Sequence, residues 1–158
     1  MPNSILYLPK KAIQTGGMDN IIAVIDGQGG GIGRIIVEKL RQGLGHECCI
    51  LGLGTNAVAS SVMLKAGANE VASGENAVVF SAPRVDIIVG SVAVIAANSF
   101  AGELTPAMAE AISSSRAIKV LLPLNRSGIE FVGVIDEPLP AQVDRLVARV
   151  RELLEQGN

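Results

Sequence analysis

The sequence predicts an α/β fold in three layers: a mostly parallel sheet wound on both faces by helices, with an antiparallel hairpin at one edge. Two observations carry that prediction. Short continuous apolar runs alternate with segments of helical period, the order that right-handed crossovers turn into a doubly wound sheet. Hydrophobic residues make up 49% of the chain and aromatics only 3%, so aliphatic side chains supply the apolar bulk, as strands buried on both faces require. The 158 residues are enough to bury a core but too few for a cofactor domain plus a separate substrate domain. One domain is expected over residues 18–158. Residues 1–17 follow no period and are read as a flexible leader or as a start assigned upstream of Met18.

Ile21 to Ile25 is the first strand, followed by a glycine loop and a helix through GIGRIIVEKLRQ. ECCILGL predicts a second strand and TNAVASSVMLKAGA a second helix, closed at Gly67 by a C-terminal cap. NEVA is a short third strand, and ENAVVFSA a short helix stopped by Pro83. Val85 to Gly90 forms the fourth strand. A long small-residue connection, SVAVIAANSFAGEL, then leads to Thr105 and Pro106, an N-cap with proline at the first helical position of a helix that runs to Ser114. AIKVLLPL is the fifth strand, residues 125–128 a turn, and IEFVGV a sixth strand pairing back as a hairpin. Val143, Leu146, Val147, Val150, Leu153 and Leu154 fall on one face of a C-terminal helix. Together these elements make a Rossmann-like doubly wound three-layer sandwich.

Charge and composition narrow the function. A formal net charge of −2, one tyrosine, three phenylalanines and no tryptophan offer neither a basic footprint nor stacking platforms, so nucleic acid is not expected as a partner. Every apolar run is interrupted well short of the roughly 20 residues of a membrane span. No secretion-signal core stands at the N-terminus, and a cytoplasmic location is expected. Cys48 and Cys49 are adjacent in a strand-like stretch and point to opposite faces, which suits neither a disulfide framework nor a metal clip. His46 and Cys48, on one strand face, do not complete a zinc site. No metal is expected there.

The chemistry concentrates in DGQGGGIGR, Asp26 to Arg34. In a doubly wound sheet, ligands sit at the carboxyl edge of the strands where strand order reverses. Glycines there let backbone N–H groups approach a phosphate, and the helix that follows adds unsatisfied donors and a partial positive charge. Gly27, Gln28, Gly29, Gly30, Gly31, Ile32 and Gly33 are therefore the candidate cradle. Asp26 can set the turn by accepting N–H bonds from its own loop, ligate Mg²⁺ that bridges a phosphate, or act as a general base. Arg34 can offset that acid, contact a phosphate or simply be a solvated helix residue. Other polar residues predicted on the same edge are Ser91, Asn125 and Arg126, with Asn98 and Ser99 in the long connection that can fold over a ligand.

The spacing Gly27-x-x-x-Gly31-Ile32-Gly33 resembles the cofactor loop of the short-chain dehydrogenase/reductase family, with Asp26 where that family usually has threonine. LKAGANEV, Leu64 to Val71, is similar to the helix-to-third-strand passage common in nicotinamide-dependent oxidoreductases. VIDGQGGGIG on so short a chain is more similar still to a family of small bacterial proteins of unknown function marked by that motif, a resemblance that covers Asn20 to the C-terminus. What these resemblances imply is a Rossmann-type fold that binds NAD or NADP. The dehydrogenase pattern then breaks. Its Tyr-x-x-x-Lys pair is matched only by Tyr7 and Lys11, outside the expected fold. The acid that clasps the adenosine ribose about 20 residues past the glycines is replaced by Leu53, Gly54, Thr55 and Asn56. Thr55 and Asn56 can bond a ribose hydroxyl, the helix they begin can receive a 2′-phosphate at its N-terminus, or the two can serve only to cap that helix.

No Ser/His/Asp or Cys/His arrangement and no P-loop pattern is present, and no catalytic residue is assigned. The leading expectation is a Rossmann-like module that binds NAD(P) or another phosphate-containing ligand as a sensor or regulatory unit. The alternatives are a small oligomeric enzyme acting on a nucleotide or phosphorylated substrate, with Asp26, Ser91, Asn125 and Arg126 supplying polar chemistry, and a non-binding structural or partner-interaction relic. The high apolar fraction also predicts a homodimer.

Overall fold

The computed structural model describes residues 20–124 and 128–157. Five strands, β1 (Ile21–Asp26), β2 (Cys49–Gly54), β3 (Glu70–Ser73), β4 (Ile87–Ser91) and β5 (Ile118–Leu122), form one sheet in the order β3-β2-β1-β4-β5. All four pairings are parallel. Five helices connect and follow them: α1 (Gly31–Leu44), α2 (Ala57–Ala66), α3 (Glu75–Ser81), α4 (Pro106–Ser114) and α5 (Leu139–Gln156). The chain winds outward from β1 through β2 to β3, then crosses back over β1 to β4 and β5. Strand order therefore reverses between β1 and β4, and the crevice of a Rossmann-like sheet opens at their carboxyl ends.

The alternation of side chains along the strands builds two cores. Ile21, Ala23 and Ile25 face α3 and α4, packing with Val78, Leu104, Met108 and Ile112. Ile22 and Val24 face the other way, onto Ile36 and Leu40 of α1, Met63 of α2 and Val143 and Val150 of α5. All six residues of β1 are buried, which only a central strand covered on both faces permits. Of the expected stripe on α5, Val143, Leu146, Val147 and Val150 are buried, while Leu153 and Leu154 are partly so.

Helix ends follow their sequence signals. Asn56 caps α2 by accepting from Ala59 N–H at 2.9 Å, and Gly67 ends that helix with φ +121°. Thr105 accepts from Met108 N–H at 3.2 Å, with Pro106 first in α4. Cys48 and Cys49 are both buried and outside any disulfide, one in each core. Burial pushes both thiols above their usual range. Because β2 begins at Cys49, His46 lies exposed in the turn before it and shares no strand face with Cys48.

The expected antiparallel edge hairpin does not form. Residues 129–134 take no strand, Gly133 adopts φ +82°, and Val132 is fully exposed. The segment lacks a buried face to fix a register: alternation would set Ile129 and Phe131 against Glu130, Val132 and Val134, leaving apolar groups on both sides. Of the turn expected before it, residues 125–127 lie outside the described residues, as do residues 1–19. Among the described residues no helix is long and apolar enough to cross a membrane.

Leu40 joins α1 to the sheet and is completely buried. Leu40→Ala is expected to lower unfolding stability by about 2–5 kcal/mol, measured by chemical denaturation. A loss below about 0.5 kcal/mol, the level of a surface substitution, would contradict this packing.

Candidate functional site

The site begins where β1 becomes α1. Gly30 N–H bonds back to Gly27 O at 3.0 Å, closing a tight turn. Gln28 in that turn has φ +50° and Gly30 φ +74°. The first helical bond runs from Arg34 N–H to Gly30 O at 2.9 Å. Asp26, only 4% exposed, lies beneath: its Oδ1 accepts from Gly27 N–H at 2.8 Å and its Oδ2 from Gly33 N–H at 2.7 Å. Gly30 has no side chain to cap α1, so the carboxylate caps the helix from behind and puts negative charge at its positive end. Among the roles open to Asp26, setting the turn is the one this geometry displays.

The glycines divide into two kinds. A Cβ on Gly27 would stand 2.7 Å from Thr55 Oγ1 and 2.9 Å from the Phe100 ring; one on Gly33 would stand 2.8 Å from Met63 Sδ. On Gly30 it would be 2.8 Å from Ala59 Cα. Packing excludes side chains at these three positions. At Gly29 and Gly31, by contrast, a Cβ would meet nothing within 4 Å, and neither residue has a left-handed φ. Both line a pocket of about 200 Å³ with Asp26, Gly27, Gln28, Gly30, Ile32 and Phe100. Gly31 and Ile32 are the first two residues of α1, whose N–H groups have no carbonyl to reach within the helix.

A connection from β4 covers the turn. After a short 3-10 turn at 92–95 the chain runs through Asn98, Phe100 and Ala101, with φ of +67°, +56° and +55°. Phe100 is buried against Gly27. Glu103 follows, and its Oε1 accepts from Thr55 Oγ1 at 2.7 Å, Asn56 Nδ2 at 2.6 Å and Gln28 N–H at 3.1 Å. Asn56 Nδ2 also donates to Gln28 O at 3.0 Å. The Thr55 hydroxyl, then the Asn56 amide and the Gln28 N–H, hold the Glu103 carboxyl below the usual glutamate range.

Most of the residues expected at the site do meet. Asp26 through Ile32 surround one pocket, Gly33 is tied to it through Asp26, and Thr55 and Asn56, which do not line it, are linked to it through Glu103 and Gln28. Gly54 admits no side chain, because a Cβ there would be 2.5 Å from Asn56 O. Arg34 turns away to pair with Glu38 at 3.0 Å. Ser91 is buried and accepts from Ala93 N–H at 3.3 Å, a local cap. Asn98 lies in the strap, where its backbone bonds to Leu104 and Gly102. Ser99 donates to Ala93 O. Asn125 and Arg126, like Tyr7 and Lys11, lie outside the described residues. Glu103 and Phe100 were not singled out from the sequence; the only signal was the length of the connection that carries them.

A larger groove of about 410 Å³ lies between β5 and α5, lined by Val120, Leu122, Val134, Ile135 and Arg149 among others. Gly133, in a turn with φ +82°, and Gln142, in the first turn of α5, also line it, but β5 does not run directly into a helix there. Among the described residues, no group of three or more His, Cys, Asp or Glu side chains is placed to hold a metal ion.

Two outcomes test this geometry. Asp26→Ala strands two enclosed N–H groups and is expected to cost at least about 2 kcal/mol of stability. Asp26→Asn restores one acceptor at most and should recover only part; wild-type stability in either variant would contradict the capping role. For Glu103 the folded pKa is lowered, so its contribution is present above the ordinary glutamate value of 4.5 and disappears as pH falls through the folded value. The difference in melting temperature between wild type and Glu103→Ala should therefore be constant near neutrality and shrink below that range. A difference that persists unchanged in acid would contradict the three bonds.

No match is found among curated proteins. A family model described as Domain of unknown function (DUF3842) matches residues 21–155, from the first residue of β1 into the last turn of α5, and the chain belongs to that family.

Proposed function

We propose that the protein is a nucleotide-binding module of a sensor or regulatory kind, holding NAD(P) or a related phosphate-bearing ligand on the turn from Gly27 to Gly33. The observation that carries this reading is the pair Gly29 and Gly31. Glycine at an ordinary φ, with open space where a side chain would stand, costs about 0.5–1 kcal/mol of chain entropy relative to alanine. Neither packing nor backbone geometry within the described residues requires glycine there. A ligand approaching the backbone does, and the orphan N–H groups of Gly31 and Ile32 suit a phosphate.

The chemistry is binding by neutral donors and a helix dipole. Among the described residues no lysine or arginine lines the pocket, and the Asp26 carboxylate is turned onto Gly27 and Gly33 N–H. The pocket of about 200 Å³ suits a phosphate and its neighbour; a whole dinucleotide extends along the crevice past Phe100. Ligand and strap then compete or cooperate for the same space, which is the coupling a sensor needs.

A second reading is favoured by Gly27, Gly30 and Gly33, which packing explains without a ligand: a partner-binding relic of a nucleotide fold. The homo-oligomer expected from composition is also retained as a proposal, supported by exposed Ile118, Val134 and Ile135 near β5, which pairs only with β4 among the described residues. Sedimentation of the full chain at micromolar concentration is expected to give a dimer mass.

The binding reading is tested by thermal unfolding with NAD⁺, NADH, NADP⁺ or NADPH. A ligand at 100 times its dissociation constant adds about 2.7 kcal/mol to stability. Gly31→Val is expected to leave stability without ligand within about 0.5 kcal/mol of wild type, because its side chain meets open space, and to abolish the ligand shift. A wild-type protein with no shift at millimolar ligand would transfer the case to the relic.

A further inference from the structure

We propose that Glu103 is the specificity-determining residue for the nucleotide's sugar: its carboxylate takes the two hydroxyls of an unphosphorylated ribose and turns away a ribose that carries a 2′-phosphate. This assignment rests on the nucleotide-binding reading above and deepens it.

The end of β2, Leu53 to Asn56, carries no acid, yet the folded protein has one beside it. Glu103 arrives from the connection between β4 and α4, separated by 48 residues from Thr55 in sequence. Its hydrogen bonds from Thr55, Asn56 and Gln28 all end on Oε1. One carboxylate oxygen with three donors has no lone-pair capacity to spare, whereas a carboxylate as a whole accepts about four hydrogen bonds. Among the described residues, the acceptor capacity left is on Oε2. Hydroxyls of a vicinal diol donate to such an oxygen; a phosphate dianion offers only acceptors and like charge.

Position joins this carboxylate to the phosphate cradle. Gln28, whose N–H Glu103 accepts, also lines the pocket formed by Gly29, Gly31 and Ile32. The acid and the open glycines thus flank one turn, as the sugar and phosphate of one nucleotide flank one ester bond. The donors that hold Glu103 also favour its ionised form. Three non-glycine residues of the strap, Asn98, Phe100 and Ala101, stand in the left-handed region, which disfavours the side chains of Phe100 and Ala101. The chain bears that strain to deliver Phe100 and Glu103 to this turn.

The test is the affinity of the full chain for NAD⁺ and for NADP⁺, by calorimetry at neutral pH, in wild type, Glu103→Gln and Gly31→Val. Glutamine keeps an oxygen for Thr55, Asn56 and Gln28, so the strap stays in place; circular dichroism and melting temperature check this. Wild type is expected to prefer NAD⁺ by about tenfold or more. Glu103→Gln should weaken NAD⁺, strengthen NADP⁺ and bring the two within about threefold. Gly31→Val should lose both ligands. Equal binding of the two by wild type, or a preference that survives in a folded Glu103→Gln, overturns the role of Glu103 while leaving the nucleotide site intact. Binding of neither by wild type overturns this assignment together with the dinucleotide reading on which it rests.

Discussion

Everything at the carboxyl edge of this sheet depends on where one buried carboxylate sends its two oxygens. Asp26 is the last residue of β1, and it accepts one N–H from the residue that follows it and another from the third residue of α1. The strand and the helix are thereby fixed to each other across a turn too tight for side chains at Gly27, Gly30 and Gly33. A carboxylate in that place first looks hostile to a phosphate. Its charge is instead committed to Gly27 N–H and to Gly33 N–H, the donor an ordinary N-cap would have taken, and the N–H groups of the first two residues of α1 have no carbonyl to reach within the helix.

That commitment explains why the strap is built as it is. Once Asp26 has taken Gly27 and Gly33, the remaining turn donor on the strap side, Gln28 N–H, is met by Glu103. The same glutamate collects the hydroxyl of Thr55 and the amide of Asn56, tying the ends of β1 and β2 to the connection that leaves β4. Three segments far apart in sequence converge on one carboxylate oxygen. The interaction is partly exposed, and such contacts are individually weak in water. Their value here is positional, since they decide where Phe100 rests over Gly27.

Much of this fold could be read from local sequence. Continuous apolar runs such as Ile21 to Ile25 mark doubly buried strands, and Asn56, Gly67, Thr105 and Pro106 mark helix ends, because capping is satisfied within a few residues of itself. The hairpin failed for the opposite reason. IEFVGV has strand-forming residues, but its alternation leaves apolar groups on both sides, and whether a neighbouring strand offers it an edge to pair with cannot be seen in six residues. The candidate site was legible as far as the glycine string reaches. Which glycines are demanded by packing and which are open depended on Met63, Ala59 and Phe100, all distant in sequence. Glu103 was hidden for the same reason: the acid that sequence spacing sought after β2 sits instead in a loop 47 residues beyond Asn56.

The adjacent cysteines give the molecule an internal contrast. Cys48 lies in the core beneath α1, α2 and α5, and Cys49 in the one beneath α3 and α4, so peptide neighbours are separated by the thickness of the sheet. Each sulfur is shielded from solvent, and burial disfavours the thiolate that alkylating reagents attack. The protein thus carries one chemical reporter in each half of its interior. A fluctuation that lifts the strap-side helices would mark one sulfur and spare its neighbour, whereas whole-chain unfolding would mark both at a single rate.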